Sequence, residues 1–155
     1  MKKLTRLLLI NWHYFQNTLI DFDTINFLTG KNSAGKSTII DALQVVLMGE
    51  TRSTAFNRAA SKKSERTLKS YLIGSMGEDV ENGNKSVREG KDFSTYIVAE
   101  FYDDFKSSFF CLGAVFDTYS DGSDINKRFF YLKSLIPDSR FIENGKTMDS
   151  RRMTQ

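Results

Sequence analysis

The sequence is poor in the residue types that stabilise small secreted domains or bind metals: 155 residues include one cysteine, one proline and one histidine. The single Cys111 excludes an internal disulfide, and its apolar neighbours predict a buried, inert thiol. His13 has no cysteine or acidic residue at metal-ligand spacing, which argues against zinc. The longest aliphatic run, residues 7–10, is too short to cross a membrane, and no signal-peptide pattern precedes it. We therefore expect a cytoplasmic globular protein.

The composition allows one hydrophobic core. With 40% hydrophobic residues, a chain of this length can bury a single core, so we expect one domain over residues 1–155. The balance of 22 basic against 19 acidic residues does not by itself indicate a nucleic-acid partner. Any such partner must be argued from where the charges lie.

A phosphate-binding loop is the strongest motif that the sequence contains. Residues 30–37 match G-x-x-x-x-G-K-[ST], between an apolar run at 25–28 that predicts a strand and one at 38–48 that predicts a helix. Glycines in such loops let backbone N–H groups surround phosphates at the positive end of the following helix. We expect Lys36 to bind the β- and γ-phosphates as the catalytic lysine, Ser37 to ligate Mg²⁺, and Thr38 to lie near the α-phosphate. The rest of the predicted cradle is Gly30, Lys31, Asn32, Ser33, Ala34 and Gly35.

Most of the chain outside this motif has a β-strand pattern. Runs at 4–10, 18–22 and 25–28 predict three strands before the first helix, which Gly49 is expected to cap. A short helix is predicted at 65–73 and a mobile loop at 74–92. Runs at 94–102, 108–116 and 128–136 predict an antiparallel meander, and Asn144-Gly145 predicts a type I′ hairpin turn. Glu100, Asp103 and Asp104 are predicted to be solvated turn charges.

The N-terminal third resembles a known ATPase head. Residues 4–15, LTRLLLINWHYF, precede LIDFD at 19–23, the phosphate loop and its helix. This succession resembles the N-terminal head segment of SMC-type proteins, most closely the MukB-like branch that includes JetC of the Wadjet plasmid-defence systems. The resemblance is sharp over residues 4–49 and architectural over 94–155. Lys31 and Ser33 stand where many such heads carry proline and glycine, a change that leaves nucleotide binding little affected.

The resemblance implies an α/β P-loop NTPase fold of ABC/SMC head type, with a mixed sheet around the phosphate-loop helix and an antiparallel meander beside it. Residues 1–50 would supply the first strands, loop and helix, residues 51–92 a basic loop region, and residues 93–155 the meander. It also implies ATP as the nucleotide, approached by His13 and Tyr14. The alternative is that His13 is an exposed turn residue while Trp12 and Phe15 are core aromatics.

Two motifs that an SMC-type ATPase needs are missing from the sequence: a Walker B strand ending in Asp-Glu, and a Ser-Gly-Gly-type signature. In the family they lie in a C-terminal half-head, beyond a long coiled-coil arm. We therefore expect the N-terminal half-head of a truncated or split protein, inactive as an ATPase alone. The alternative is a compact NTPase in which Asp117, after the apolar run 112–116, binds Mg²⁺; the next residue, Thr118, is not an acid.

The segment after the first helix is strongly basic. Six cations between residues 51 and 70 face the single acid Glu65, a density that would neutralise several phosphates of double-stranded DNA. A solvated loop is the alternative. Any binding should be to the DNA backbone and without sequence preference. The six residues are Arg52, Arg58, Lys62, Lys63, Arg66 and Lys69.

Together these features predict ATP-dependent DNA engagement or translocation within an SMC-like machine of the chromosome-maintenance or plasmid-defence type. The resemblance implies as partners the C-terminal half-head, a second head on dimerisation, and kleisin-type and accessory subunits. One alternative is a RecF-like or overcoming-lysogenization-defect-like ATPase without long arms. Others are a compact kinase or GTPase, although the guanine-specificity element Asn-Lys-x-Asp is missing, and a module that uses nucleotide only to order its fold.

Overall fold

The computed structural model describes residues 1–31, 35–52, 56, 67–74 and 86–154. Five strands form its main sheet: β1 (Lys2–Trp12), β2 (Phe15–Asp21), β3 (Phe93–Asp103), β4 (Ser108–Thr118) and β5 (Asn126–Leu132). Two helices, α1 (Lys36–Met48) and α2 (Leu68–Ile73), lie between β2 and β3 in the chain. A small hairpin of β6 (Ile142–Glu143) and β7 (Lys146–Thr147) precedes a 3₁₀ turn at Ser150–Thr154. None of the described helices is long and apolar enough to span a membrane.

The main sheet has the order β2-β1-β3-β4-β5, and every neighbouring pair is antiparallel. The predicted meander is confirmed, since β3, β4 and β5 follow one another in space as in sequence. Instead of the expected mixed sheet, the described residues contain no parallel pair, and β1 continues the meander by pairing with β3. The turn between β1 and β2 therefore lies at the same end of the sheet as the start of β3 and the end of β4.

Alternation along the strands gives the sheet two apolar faces. In β1, Leu7 and Leu9 face α1, whereas Leu8 and Ile10 face the opposite side. Helix α1 buries Ala42, Val45 and Val46 against the first face, at the three- and four-residue spacing of an amphipathic helix. The second face is covered by residues of the C-terminal region that include Ile136 and Phe141.

Helix α1 begins and ends close to the predicted positions. It starts at Lys36, inside the phosphate-loop motif, and the N–H of Gly49 donates to the carbonyl of Val45 at 3.0 Å, which confirms the predicted cap. Helix α2 starts at Leu68, where Thr67 and Ser70 form a reciprocal capping box. Residues 65 and 66, which were included in the predicted helix, lie outside the described part of the chain.

The predicted third strand at residues 25–28 is wrong for the described structure. These residues follow β2 as a non-regular segment that pairs with no described strand. Their side chains are exposed, with Ile25 at 75% and Phe27 at 84% of full accessibility. The local apolar pattern is that of a strand, but a strand also needs a neighbour to satisfy its N–H and C=O groups.

Two of the three charges that were predicted to be solvated, Glu100 and Asp103, are buried. Glu100 is 1% exposed and accepts hydrogen bonds from Thr5, Arg6 and the backbone N–H of Ile136. Asp103 is also buried, and its carboxylate accepts from the N–H of Phe105 in the β3–β4 turn. Only Asp104 lies near the surface as predicted, beside the amino groups of Met1 and Lys3.

Two other predictions about the C-terminal half are refined. Strand β5 ends at Leu132 rather than at residue 136, because the chain leaves the sheet and buries Ile136 beneath it. The hairpin prediction is confirmed, with Asn144 and Gly145 at φ 51° and 73°, as a type I′ turn requires. Cys111 is fully buried, and this burial raises the pKa of its thiol to about 12, as expected for an inert cysteine.

Candidate nucleotide-binding site

The phosphate loop is described at both ends, and its middle residues Asn32, Ser33 and Ala34 lie outside the described part. Gly35, immediately before α1, has φ 93° and is packed beneath the turn between β1 and β2. A Cβ atom at this position would lie 1.9 Å from the Tyr14 hydroxyl and 3.1 Å from the Phe15 ring. Glycine is therefore needed at position 35 for two reasons: its positive φ and the close packing of Tyr14 and Phe15.

Lys36 and the start of α1 supply the positive groups of the site. The Lys36 ammonium donates to the carbonyls of Gly30 at 2.6 Å and Lys31 at 2.9 Å, so it lies over the loop that precedes it. Among the described residues, no side chain caps the first turn of α1 and no acidic residue lies in it, so its backbone N–H groups are available to an anion. Ser37 is half-buried on the same turn.

These groups fit a nucleoside triphosphate with Mg²⁺. The donor set consists of the Lys36 ammonium, the helix N–H groups and the Ser37 hydroxyl, which suit phosphate oxygens and a hard cation. When bound, such a nucleotide supplies a γ-phosphate whose cleavage can be coupled to a change of conformation. The side chain of Thr38 is buried in the inner face of α1, and its carbonyl accepts from the Trp12 indole at 3.0 Å.

The turn that packs on Gly35 has a strained backbone. Asn11 and His13 have φ of 54° and 50°, values that cost about 1 kcal/mol or more for a non-glycine residue unless neighbours enforce them. The Asn11 amide donates to the carbonyl of Ser94 at 2.9 Å, and the Thr95 hydroxyl donates to the carbonyl of Asn11 at 3.1 Å. The N–H of His13 donates to the carbonyl of Tyr71 at 2.7 Å, which ties the turn to α2.

An aromatic cluster connects this turn, α1 and α2. The rings of Trp12 and Tyr71 stack with centroids 4.5 Å apart, and Phe56 lies 5.1 Å from Tyr71. All three residues are buried, and the Tyr71 hydroxyl donates to the carboxylate of Asp41 on α1. Tyr71 and Asp41 were not among the predicted site residues, because nothing local in the sequence indicates a partner thirty residues away.

His13 and Tyr14, predicted to approach the nucleotide, lie half-buried at the turn that contacts Gly35. The alternative of an exposed turn histidine does not describe His13, whose ring lies 5.6 Å from that of Tyr71. Trp12 is a core residue and Phe15 packs against the same core, in agreement with that part of the alternative. Direct contact of His13 or Tyr14 with nucleotide stays a prediction.

Asp117 is held by a buried hydrogen-bond cluster instead of facing the phosphate loop. Its carboxylate accepts from the Ser94 hydroxyl at 2.7 Å, from the Ser150 hydroxyl at 2.6 Å and N–H at 3.1 Å, and from the Asn126 amide at 3.2 Å. Strand alternation places it on the side of Val115, away from α1. This geometry fits an anchor for the C-terminal 3₁₀ turn and argues against a role in holding Mg²⁺.

Only two of the six predicted DNA-binding residues are described. Arg52 is 79% exposed but forms a bidentate ion pair with Glu50, an acid that lies just before the basic segment. The Arg52 side chain and N–H lower the pKa of Glu50 to about 2. Lys69 is exposed on α2, and Lys127 of β5 reaches Thr51 at 3.4 Å. The residues outside the described part are Arg58, Lys62, Lys63 and Arg66.

Comparison with protein families matches residues 4–63 of this chain to the P-loop containing region of AAA domain. The matched residues include most of β1 and all of β2, the phosphate loop and α1, which together build the site described above. Comparison with curated proteins finds no match. The match and the geometry support a P-loop ATPase domain that binds nucleotide.

Proposed function

We propose that this chain is the ATP-binding N-terminal half of an SMC-like ATPase head, of the MukB/JetC branch, that engages or translocates DNA in the cytoplasm. The observation that carries the proposal is the phosphate loop packed at the end of a wholly antiparallel sheet, through Gly35 and the β1–β2 turn. In most P-loop proteins the strand before the loop belongs to a parallel sheet. Here β1 and the antiparallel meander lie beside α1. The resemblance implies such a meander, although the mixed sheet that it also implies is not found among the described residues.

Exposed apolar side chains support the proposal that a second half-head packs against this chain. Ile25 and Phe27, which precede the loop, and Leu47 and Met48, at the end of α1, are 50% to 84% exposed. Exposed large apolar side chains are typical of protein–protein contact surfaces, and these four flank the phosphate loop and α1 in the sequence. We propose that the C-terminal half-head covers them and pairs with residues 25–28 as a strand, supplying the Walker B acids. A second head and kleisin-type subunits would then complete the machine by resemblance.

The proposal predicts nucleotide binding without appreciable turnover. Purified protein should bind Mg-ATP but hydrolyse it negligibly, because the acids that activate water lie outside the chain. Asp117→Asn should change neither the affinity nor the rate, yet lower the free energy of unfolding by about 2 kcal/mol through its buried hydrogen bonds. Phosphate release and urea unfolding of both proteins measure this. Brisk turnover that disappears in Asp117→Asn would favour the compact NTPase instead.

DNA binding is the second prediction of the proposal. Lys62→Glu with Lys63→Glu should weaken binding to a labelled duplex and lower the log–log salt slope by about 2, one unit per lost phosphate contact. Lys106→Glu with Lys133→Glu is the matched control, since both lysines are exposed at the opposite end of the sheet from the β1–β2 turn. Equal salt slopes for the two double variants would mean that Lys62 and Lys63 do not contact DNA and that the basic segment is a solvated loop.

Substitution of Glu50 tests the same proposal in the opposite direction, because it should strengthen DNA binding. Because Glu50 pairs with the exposed Arg52, Glu50→Gln should release that guanidinium and strengthen duplex binding at low salt. Anisotropy of the same labelled duplex measures the effect. Weaker or unchanged binding would show that Arg52 does not contact DNA.

A further inference from the structure

Arg88 is the most deeply buried cation among the described residues, with 6% of its surface exposed. It lies in the region predicted to be a mobile loop, yet its Nε donates to the carbonyl of Leu72 at 2.8 Å and its Nη2 donates to the carbonyl of His13. Within the described part of the chain, its Nη1 has no hydrogen-bond partner. Burial lowers the pKa of Arg88 to about 10, so the guanidinium remains charged at neutral pH.

The two carbonyls belong to segments that are far apart in sequence. Leu72 lies near the end of α2, and His13 lies in the strained turn between β1 and β2. Gly74, with φ 68°, allows this approach: a Cβ atom there would lie 2.9 Å from the His13 carbonyl oxygen and 3.0 Å from Nη2 of Arg88. The ring of Phe93, at the start of β3, lies 5.5 Å from the guanidinium.

His13 is directly followed by the two residues that pack on the phosphate loop. Tyr14 and Phe15 contact Gly35, so the position of the turn determines the space over the last residue before α1. Asn11, near the end of β1, and His13, in the turn, are non-glycine residues in the left-handed region, and such a backbone persists only where surrounding bonds enforce it. Arg88 supplies the bond to the His13 carbonyl, while Tyr71 accepts from the His13 N–H.

We propose that Arg88 is a positioning residue of the nucleotide site, which holds the β1–β2 turn against Gly35 by bridging the His13 and Leu72 carbonyls. The inference rests on the proposed binding of nucleotide by the phosphate loop. The role needs an arginine because the planar guanidinium donates in two fixed directions, whereas a lysine ammonium is a single point donor. In this role Arg88 acts through the His13 carbonyl and the turn.

The test compares Mg-ATP affinity in wild type, Arg88→Met and Arg88→Lys by calorimetric titration. Arg88→Met should weaken binding by about tenfold, the effect of losing hydrogen bonds from a charged donor, and Arg88→Lys should recover it only in part. Methylguanidinium at millimolar concentration should restore affinity to Arg88→Gly by occupying the vacated space. Hydrogen exchange of the His13 and Tyr14 amides should be faster in Arg88→Met without nucleotide.

Arg6→Met is the matched control. Arg6 is also an arginine with a buried hydrogen-bond partner, but it lies on β1 roughly 20 Å from the β1–β2 turn and bonds to Glu100. This substitution should lower the melting temperature while keeping wild-type affinity. The inference is overturned if Arg88→Met binds Mg-ATP as wild type does, or if its affinity loss only follows the loss of stability that Arg6→Met also shows. Wild type that fails to bind Mg-ATP would instead overturn the proposed function, and this inference with it.

Discussion

Lys36→Ala is expected to lose measurable Mg-ATP binding while keeping its fold. The ammonium donates to the loop carbonyls of Gly30 and Lys31, at the N-terminal end of α1 and within the predicted phosphate cradle. Removing a charge-assisted contact to a phosphate costs about 2 kcal/mol or more, and the lysine of a phosphate loop serves two phosphates. Calorimetric titration with Mg-ATP should therefore show at least about a 30-fold weaker affinity.

The control for this experiment is Lys106→Ala, which removes an exposed lysine from the β3–β4 turn at the other end of the sheet. Both variants should melt within about 2 °C of wild type, because substitutions of partly or fully exposed side chains rarely change stability by more than about 0.5 kcal/mol. Equal Mg-ATP affinities for wild type and Lys36→Ala would contradict the assignment of the loop. An equal loss of Mg-ATP affinity in Lys106→Ala would mean that the effect arises from the change in net charge.

Local sequence patterns predicted the parts of the fold that depend on neighbours in sequence. Helix α1 and its cap at Gly49, the hairpin at Asn144-Gly145, and the meander all follow from spacing and turn chemistry over fewer than about a dozen residues. The phosphate loop is likewise a contiguous motif. The failure at residues 25–28 has the same origin, because a strand-like pattern does not say whether a partner strand is present.

The support of the site could not be predicted because its contacts join distant segments. Tyr71 bonds to Asp41, Arg88 bonds to the carbonyl of His13, and Trp12 bonds to the carbonyl of Thr38. Each residue alone has an ordinary interpretation as a core aromatic or a solvated charge. Only the folded chain shows that three segments converge on the turn that covers Gly35. The contiguous motif therefore predicted the class of ligand, whereas the packing that supports the phosphate loop became visible only in the structure.

Glu100 provides the largest stability effect that we expect outside the site. Its carboxylate accepts from Nε and Nη2 of Arg6 at 2.8 and 2.5 Å, from the Thr5 hydroxyl at 2.9 Å and from the N–H of Ile136 at 2.9 Å. Glu100→Gln should lower the free energy of unfolding by about 3 kcal/mol. This is the lower end of the usual cost of breaking a buried ion pair, because Arg6 is partly exposed. Urea unfolding at pH 7 measures this.

The effect of Glu100→Gln should also depend on pH. Burial acts to raise the pKa of Glu100, but the hydrogen bonds from Arg6, Ile136 and Thr5 together lower it below its ordinary value. A folded-state pKa below the unfolded value of about 4.3 means that the carboxylate stabilises the fold above that pH, and that this stability is lost as the pH falls through the folded-state pKa. The difference between wild type and Glu100→Gln should therefore shrink below about pH 4.

Glu143→Gln separates this buried carboxylate from a surface one. Glu143 pairs with Arg152 at 2.6 Å, but the two side chains are 53% and 63% exposed, so the change should cost less than about 1 kcal/mol at pH 7. The contrast follows from solvent access: water replaces the lost partner at Glu143, whereas at Glu100 the donors of Thr5 and Ile136 remain buried. Equal losses in the two variants, or a Glu100→Gln effect that does not decrease as the pH falls below about 4, would mean that Glu100 does not hold residue 136 against the sheet through its charge.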